Sequence, residues 1–513
     1  MRGEDLLINK LWAEHGATTN IIASMNWVYS PEGIPKRVAS TIPILTIDGT
    51  SIWFTAKVVP NTKHRGISTM LMDNVSYTCS VMIAIHSKKE EKDGTIIDYK
   101  SIEVSMGEIP VCIGSTMDKA LISDDSKLSI FESNNARGLD VNDKGGWFVI
   151  GSRGYVRLIE TRLRFEKWLV CTTKKGEEYA KFTSSTSTGS TVIELYKAIG
   201  NSIHIHLSMF TKKTNTGSGI ASGNTLNILL VYRIISGNYG KKPGKINISE
   251  IFKQIMDFVD PKYLARAQQY FYSTIIEYTK ISNDFETMNE IHGVAYEPVG
   301  YKKNVFNELF PQIVGDRRES WEEVRDRKLV LLNLGVARYI EVLIGAREVD
   351  NKNDFTNISL VLPGTKFYKF FSKHWKKLVT TIEENITSGQ HQGADYAGSV
   401  CSIIKSQTIT NKFISAFKRK SWTLQVNKFP ATEIYPQNSE LGIAVVNKVI
   451  IPTDPNTKEL ILREVNSTKI GYIGLFDTPD SEVCGISLRK ALGCWSSIER
   501  SPDPVRNLIY QKL

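Results

Sequence analysis

The sequence predicts an α+β fold spread over several domains, and three observations carry that expectation. At 513 residues the chain has room for roughly three or four domains of about 150 residues each. Runs rich in Ile, Val and aromatic residues concentrate in its first part, whereas helical periodicity dominates the later part. A hydrophobic fraction of 41% and a charged fraction of 23% match an ordinary globular chain able to bury large cores.

The elements follow in order. Ile44-Leu45-Thr46-Ile47 and Ile52-Trp53-Phe54 are β-prone, and Asp48-Gly49 between them signals a hairpin turn. Val81 to Ile85 is a denser strand. Gly145 to Gly151 reads as a strand entered and left through glycines, with Tyr155 to Ile159 as its return. Thr183 to Thr191 and Lys212 to Asn224 are rich in Ser, Thr, Gly or Asn and read as loops. Between them Ile203, Ile205, Leu207 and Met209 alternate with His204, His206 and Ser208, the period of a strand. Ser249 is a candidate cap for a helix carrying Phe252, Ile255, Met256 and Val259. Pro261 starts the next helix, Tyr263 to Lys280. Further helices are expected over Lys328 to Ile344, Lys366 to Asn385 and Asn411 to Phe417, with a boundary in the polar stretch Thr387 to Gly398.

The net charge is +10, which suits nucleic-acid contact and is equally explained by solubility. The six cysteines form no Cys-x-x-Cys pair and have no zinc spacing, as in a reducing compartment. Met1-Arg2-Gly3-Glu4-Asp5 is too charged to open a signal peptide, and no long apolar run follows, so a cytosolic protein without membrane contact is expected. No Walker A, His-Glu-x-x-His or Gly-x-Ser-x-Gly motif is present. His204 and His206 share a strand face but lack a third ligand nearby in sequence, so a solvated face is favoured over a metal site. Two stretches are basic. Lys366 to Lys377 reads best as an amphipathic helix with Phe367, Phe370, Phe371 and Leu378 inward. The second comprises Lys405, Lys412 and Lys418-Arg419-Lys420; for Lys418, Arg419 and Lys420, phosphate contact and a solvated face remain equally open.

The densest pattern lies near the C-terminus: Arg463-Glu464-Val465-Asn466-Ser467-Thr468, Gly471, Asp477-Thr478-Pro479-Asp480 and Gly485-Ile486. It resembles the second-largest (β) subunit of multisubunit DNA-dependent RNA polymerases. There an Arg, a His-Asn/Pro-Thr step, a Gly and Glu-Thr-Pro-Glu-Gly follow one another. Further segments resemble the family in the family's order. They are Ser24 to Trp27, Asp73 to Tyr77, Gly107 to Ser115, Gly145 to Ile159, Asn227 to Ile234, Asp350 to Gly364, and Ile409-Thr410 with Ala416 and Trp422. The departures are Asp477 for the family Glu, Ser481 for its Gly and Asn466 for its His.

The resemblance implies a β-subunit-like protrusion in two segments, 1–165 and 328–385, a lobe at 166–327 and a fork region at 386–513. It implies the N-terminal part of a split β subunit, as in giant (jumbo) bacteriophages, acting in the cytoplasm of the infected host or in the virion. The family's fork residues carry over to Arg463, Thr478, Pro479 and Asp480 as nucleic-acid-binding candidates, near the RNA side of the active centre. Arg463 would meet RNA phosphate or brace its loop, and Thr478-Pro479 would be a rigid element of the fork or simply a turn. No catalytic or metal residue is expected on this chain. The family's Asn-Ala-Asp-Phe-Asp-Gly-Asp cluster, which holds catalytic Mg2+, belongs to the largest subunit. Expected partners are a chain with the C-terminal half of β, β′-like chains, a promoter-specificity factor, template DNA and RNA product. If Ser439-Glu440-Leu441 corresponds to the family's Ser-Glu-Ile, a weakly basic run ending Val446-Asn447-Lys448 stands where the family's rifampicin-pocket residues lie, and the resemblance then implies resistance to rifampicin. A rival reading is a non-enzymatic phage structural or nucleic-acid-binding protein.

Overall fold

A computed structural model describes residues 16, 18–46, 49–61, 66–90, 96–118, 134, 137–140, 142–173, 175–185, 190–207, 225–236, 246–283, 305–313, 320–387, 396–406, 409–422, 430–436, 439–454, 456, 460–491 and 494–497. The chain divides into two compact units. One combines Met1–Arg162 with Asn353–Leu513, and the other is the continuous stretch Leu163–Lys352.

The first unit opens with helices α1 (Thr19–Tyr29) and α2 (Ile34–Ala39) and a sheet in the order β1-β2-β3-β4. Its strands are Ile44–Leu45, Thr50–Pro60, Thr78–Glu90 and Ile96–Pro110, all antiparallel, with helix α3 (Ile67–Met72) between β2 and β3. The expected hairpin is present, with Ile44 opposite Ile52; Ile47 and Asp48 lie outside the described residues. Alternation sends Ile52, Phe54, Ile83, Ile85, Val104 and Met106 into the core and leaves the opposite face of the sheet to solvent. The strand pair β5 (Phe148–Ile150) and β6 (Arg153–Arg157) also forms as the sequence predicts, with β7 (Ile159–Leu163) directly after it.

The second unit is a five-stranded antiparallel sheet of β8 (Trp168–Thr172), β9 (Glu178–Ser185), β10 (Ser190–Lys197), β11 (Ile203–Leu207) and β12 (Thr225–Asn227), in the order β12-β11-β10-β9-β8. Thr183 to Thr191 is therefore not a loop at its ends: Thr183 pairs with Val192 and Ser184 with Thr191. β-branched Thr fits a pleated surface, and composition alone hid the strands. Lys212 to Asn224 lies outside the described residues. The helices are α4 (Ile228–Ser236), α5 (Ile248–Met256), α6 (Leu264–Ser282), α7 (Val305–Glu308) and α8 (Trp321–Leu343). Asn247, not Ser249, occupies the cap position of α5. Pro261 opens a 3-10 turn, capped by the Asp260 carboxylate, that leads into α6.

The division expected at 327/328 falls inside α8. Ser320 and Glu323 form a reciprocal capping box that starts this helix seven residues before the expected Lys328. Its buried Leu332, Val336, Ala337, Tyr339 and Ile340 belong to the core of the second unit, which continues to Lys352.

The returning segment completes the first unit with β13 (Ile358–Val361), α9 (Pro363–Thr387), α10 (Tyr396–Ser406), α11 (Thr410–Lys418), β14 (Thr432–Ile434), α12 (Ser439–Val446), β15 (Lys448–Ile450), α13 (Leu460–Arg463) and β16 (Ser487–Arg489). These strands close two sheets begun earlier in the chain, β14-β6-β5 and β13-β7-β15-β16. Helix α9 buries Phe367, Phe371, Trp375, Leu378, Ile382 and Ile386 at helical spacing, each stabilising by roughly 1.5–3 kcal/mol. It runs through the expected 385/386 division, and both flanking segments share one core. No helix among the described residues is long and apolar enough to cross a membrane.

Candidate functional site

The array from Arg463 to Lys490 folds around β16. That strand pairs antiparallel with β15, which pairs parallel with β7. Asn466 caps a short 3-10 turn, Ser467–Lys469, by accepting from the Thr468 amide. Gly471 follows in the left-handed region at φ +82°, a conformation that costs glycine little. Thr478 then closes the Asp477–Gly485 turn: its hydroxyl donates to Ser487 O at 3.0 Å and accepts from the Gly485 amide at 2.9 Å. Gly485 has φ +73°, and a Cβ there would lie 2.6 Å from Arg463 O. Asp477 pairs with Arg489 at 2.8 Å.

Of the two roles left open for Arg463, the geometry displays the bracing one. Its Nη1 donates to Glu482 O at 2.6 Å and to Cys484 O at 2.8 Å. Pro479 and Asp480 stand exposed at the tip of the turn, and Thr478 is half-buried. Apolar side chains also face solvent around the array, including Leu460, Val465, Ile470, Tyr472 and Phe476, the last 95% exposed. Isolated exposed apolar residues are ordinary, whereas several in one short segment mark a surface that another chain can cover.

The other basic candidates lie elsewhere in the same unit. Lys418 ends α11, Arg419 occupies its C-cap and Lys420 follows at φ +54°, all three exposed. The stretch from Lys366 to Lys377 divides. Lys366 is drawn inward onto Glu160 at 2.6 Å. Lys373 and Lys377 of α9 meet Lys412 of α11 around His374; burial first, then these three cations, push the His374 pKa down. This convergence of the two basic stretches was not legible in the sequence. Neither was the support of the second one. Trp422 packs on Phe370, Phe413 and Phe417, and the Arg157 guanidinium lies 5.3 Å from its ring centre.

In the second unit, His204 and His206 do share one face of β11, but His204 is not simply solvated. It binds Glu277 at 2.9 Å and Thr225 at 3.3 Å, and His206 lies 4.0 Å from Glu194. Among the described residues no group of three or more His, Cys, Asp or Glu side chains is placed to hold a metal ion.

Segments that resemble the polymerase family at scattered positions meet in space. Gly364 N donates to Ser24 Oγ at 3.1 Å. Ser152 N donates to Asn74 Oδ1 at 3.1 Å and Gly151 N to Ser76 Oγ at 3.0 Å. Glu108 N donates to Thr410 Oγ1 at 2.8 Å, beside Gly107, where a Cβ would lie 2.9 Å from the same oxygen. Phe355 N donates to Thr468 Oγ1 at 2.8 Å, and its ring stacks on Tyr472 at 5.0 Å.

Sequence comparison finds proteins similar to this chain among the subunits of DNA-directed RNA polymerases. No family model matches the chain. A probable DNA-directed RNA polymerase II subunit RPB2 homolog of Invertebrate iridescent virus 3 is 20% identical over 470 residues, covering 82% of this chain and 38% of that protein. The DNA-directed RNA polymerase subunit Rpo2 of Saccharolobus solfataricus is 19% identical over 423 residues, covering 81% and 34%. Subunit Rpo2N of Halobacterium salinarum is 19% identical over 430 residues, covering 80% of this chain and 74% of the relative. The chain thus spans little more than a third of the first two relatives and about three quarters of the third.

Proposed function

We propose that this chain is the N-terminal half of a split second-largest subunit of a DNA-dependent RNA polymerase, encoded by a giant bacteriophage and acting in the cytoplasm of its host. The observation that carries the reading is the Arg463–Lys490 array. It is held as one braced turn, with Thr478 and Arg463 both spent on the loop backbone and Pro479-Asp480 offered outward. The coverage of an Rpo2N subunit supports the same reading.

In this reading the exposed apolar side chains between Leu460 and Phe476 are covered by the chain carrying the rest of β. The turn tip with Pro479 and Asp480, together with Lys418, Arg419 and Lys420, faces nucleic acid. Such lysine and arginine contacts to phosphate are indifferent to sequence and weaken with salt. β′-like chains supply the aspartates that hold Mg2+ for nucleotidyl transfer, and a specificity factor selects the promoter. This chain's own residues shape and brace the fork.

The test is native purification of the chain from its biological source, followed by transcription on a DNA template. Co-elution of a chain continuing β and of a chain with the Asn-Ala-Asp-Phe-Asp-Gly-Asp run, with Mg2+-dependent RNA synthesis, is the expected result. A chain that elutes alone and inactive would overturn the reading. The assembled enzyme is also expected to transcribe at undiminished rate in rifampicin concentrations that stop a bacterial polymerase; strong inhibition at low drug concentration would count against it.

A further inference from the structure

We propose that the outward face of the β1–β4 sheet is a stacking platform for the unpaired bases of a single-stranded nucleic acid, built from Trp53, His86 and Tyr99. This goes beyond the fork, from which it is separate in sequence and in sheet.

The backbone register sets the platform. Trp53 of β2 is directly opposite His86 of β3, and Tyr99 of β4 is opposite Lys88, two residues further along the same face. The core side of these strands is filled by Ile52, Phe54, Ile83 and Ile85, so the three rings lie on the other side. Trp53 stacks on His86 with centroids 5.3 Å apart and planes 19° apart. Tyr99 continues the layer, 6.3 Å from His86 at 22° and 6.2 Å from Trp53.

The imidazole is held by both nitrogens. Nε2 lies 2.9 Å from Thr55 Oγ1 and Nδ1 lies 3.0 Å from Tyr99 Oη. The imidazole is thereby fixed in the layer beside Trp53 and Tyr99, with Trp53 and His86 half-buried and Tyr99 the more exposed ring. Tyr99 stays 55% exposed on the edge strand of the sheet. A cross-strand aromatic pair stabilises any sheet, but three rings fixed on a solvent-facing sheet surface form a preorganised surface that costs little entropy to use.

The charges around the rings fit a polyanion. Lys88 stands opposite Tyr99, and Lys57 lies two strand positions beyond Thr55 on the same face. Lys57 is paired with Glu103 at 2.7 Å, with both side chains about half exposed. Such a pair contributes little and can be exchanged for a phosphate. Every base has a π face, so stacking combined with lysine contacts takes single strands of any sequence and discriminates against duplex, whose bases are already stacked. That combination favours single-stranded nucleic acid over a protein as the occupant.

The test uses the full-length chain and a fluorescein-labelled oligothymidylate, titrated by anisotropy at fixed salt beside a duplex of equal length. The double variant Trp53→Ala, Tyr99→Ala is expected to bind the single strand at least about tenfold more weakly, with duplex binding unchanged. Trp53→Phe is expected to retain most of the affinity, and unchanged thermal unfolding of each variant confirms that it is folded. The proposal is overturned if the double variant binds oligothymidylate as tightly as the parent, or if single strand and duplex weaken together. It is likewise overturned if oligothymidylate binding is unchanged while a partner polypeptide is lost from the native assembly, which would make the face a protein interface. Because the parent chain's co-elution and transcription are scored separately, failure of the platform leaves the polymerase reading standing, and the converse also holds.

Discussion

Arg463 reaches two carbonyl oxygens that lie 19 and 21 positions further along the chain. Charge-assisted bonds of this kind contribute about 1.5–3 kcal/mol each. Arg463→Ala is therefore expected to raise amide hydrogen exchange across 477–487 while leaving the remote sheet β1–β4 protected, and Arg463→Lys to restore part of the protection. If exchange stays unchanged while crosslinking to RNA is lost, the guanidinium serves the nucleic acid and not the loop. The residue type and its place in the motif were legible in the sequence; its partners were not, because nothing local connects Arg463 to Glu482 or Cys484. Glu160 presents a second case. Burial works against its carboxylate, but Arg157 at 2.5 Å and Lys366 at 2.6 Å outweigh that and hold its pKa down at about 2. A folded pKa below the ordinary 4.5 gives stability that is present above pH 4.5 and is lost as pH falls toward 2. The shift is equivalent to about 3 kcal/mol. Acid titration of unfolding should show that loss, and Glu160→Gln should flatten the curve between those limits; an unchanged curve would remove the ion cluster as its cause.

Helix α8 shows what the sequence yields at the scale of an element and what it withholds. Its later turns are legible from apolar spacing, whereas its start is set ahead of that spacing by the Ser320-x-x-Glu323 capping box. Ser320→Ala is expected to cost about 1 kcal/mol, seen as a lowered unfolding midpoint. On the same helix Gly335 gives the Trp168 ring its place. The indole donates to Leu331 O at 2.9 Å, and a Cβ at 335 would run into the ring. Gly335→Ala, which on helix propensity alone should stabilise by about 1 kcal/mol, is instead expected to destabilise by roughly 1–3 kcal/mol. A gain in thermal stability would show that the ring moves freely aside. Strand β11 was legible because Ile203, Ile205 and Leu207 alternate with the two histidines. The ends of β9 and β10 were not, since Thr and Ser serve loops and strand surfaces alike and only the pairing of Thr183 with Val192 distinguishes them.

Across the whole molecule, the family-like segments were legible as an ordered series but not as a set of contacts. Ser24 with Gly364 and Glu108 with Thr410 are separated by 340 and 302 positions, distances at which sequence pattern carries no contact information. The parallel pairing of β7 with β15 belongs to the same class. Thr161 and Ile450, which it brings together, are 289 positions apart. During synthesis at roughly 5–20 residues per second, about 15–60 s pass between the emergence of those two strands. Throughout that interval the β7 edge has no β15 to pair with, whereas the continuous stretch Leu163–Lys352 is complete before β15 emerges. The ribosome thus delivers the inserted unit as a finished body while its host is half made, and an unpaired strand edge is a template for wrong partners. Ribosome-bound chains stalled well past Lys352 should therefore resist protease in the inserted unit first and acquire full protection around β7 only once β15 has emerged, so the waiting host segment is where a chaperone would have most to do.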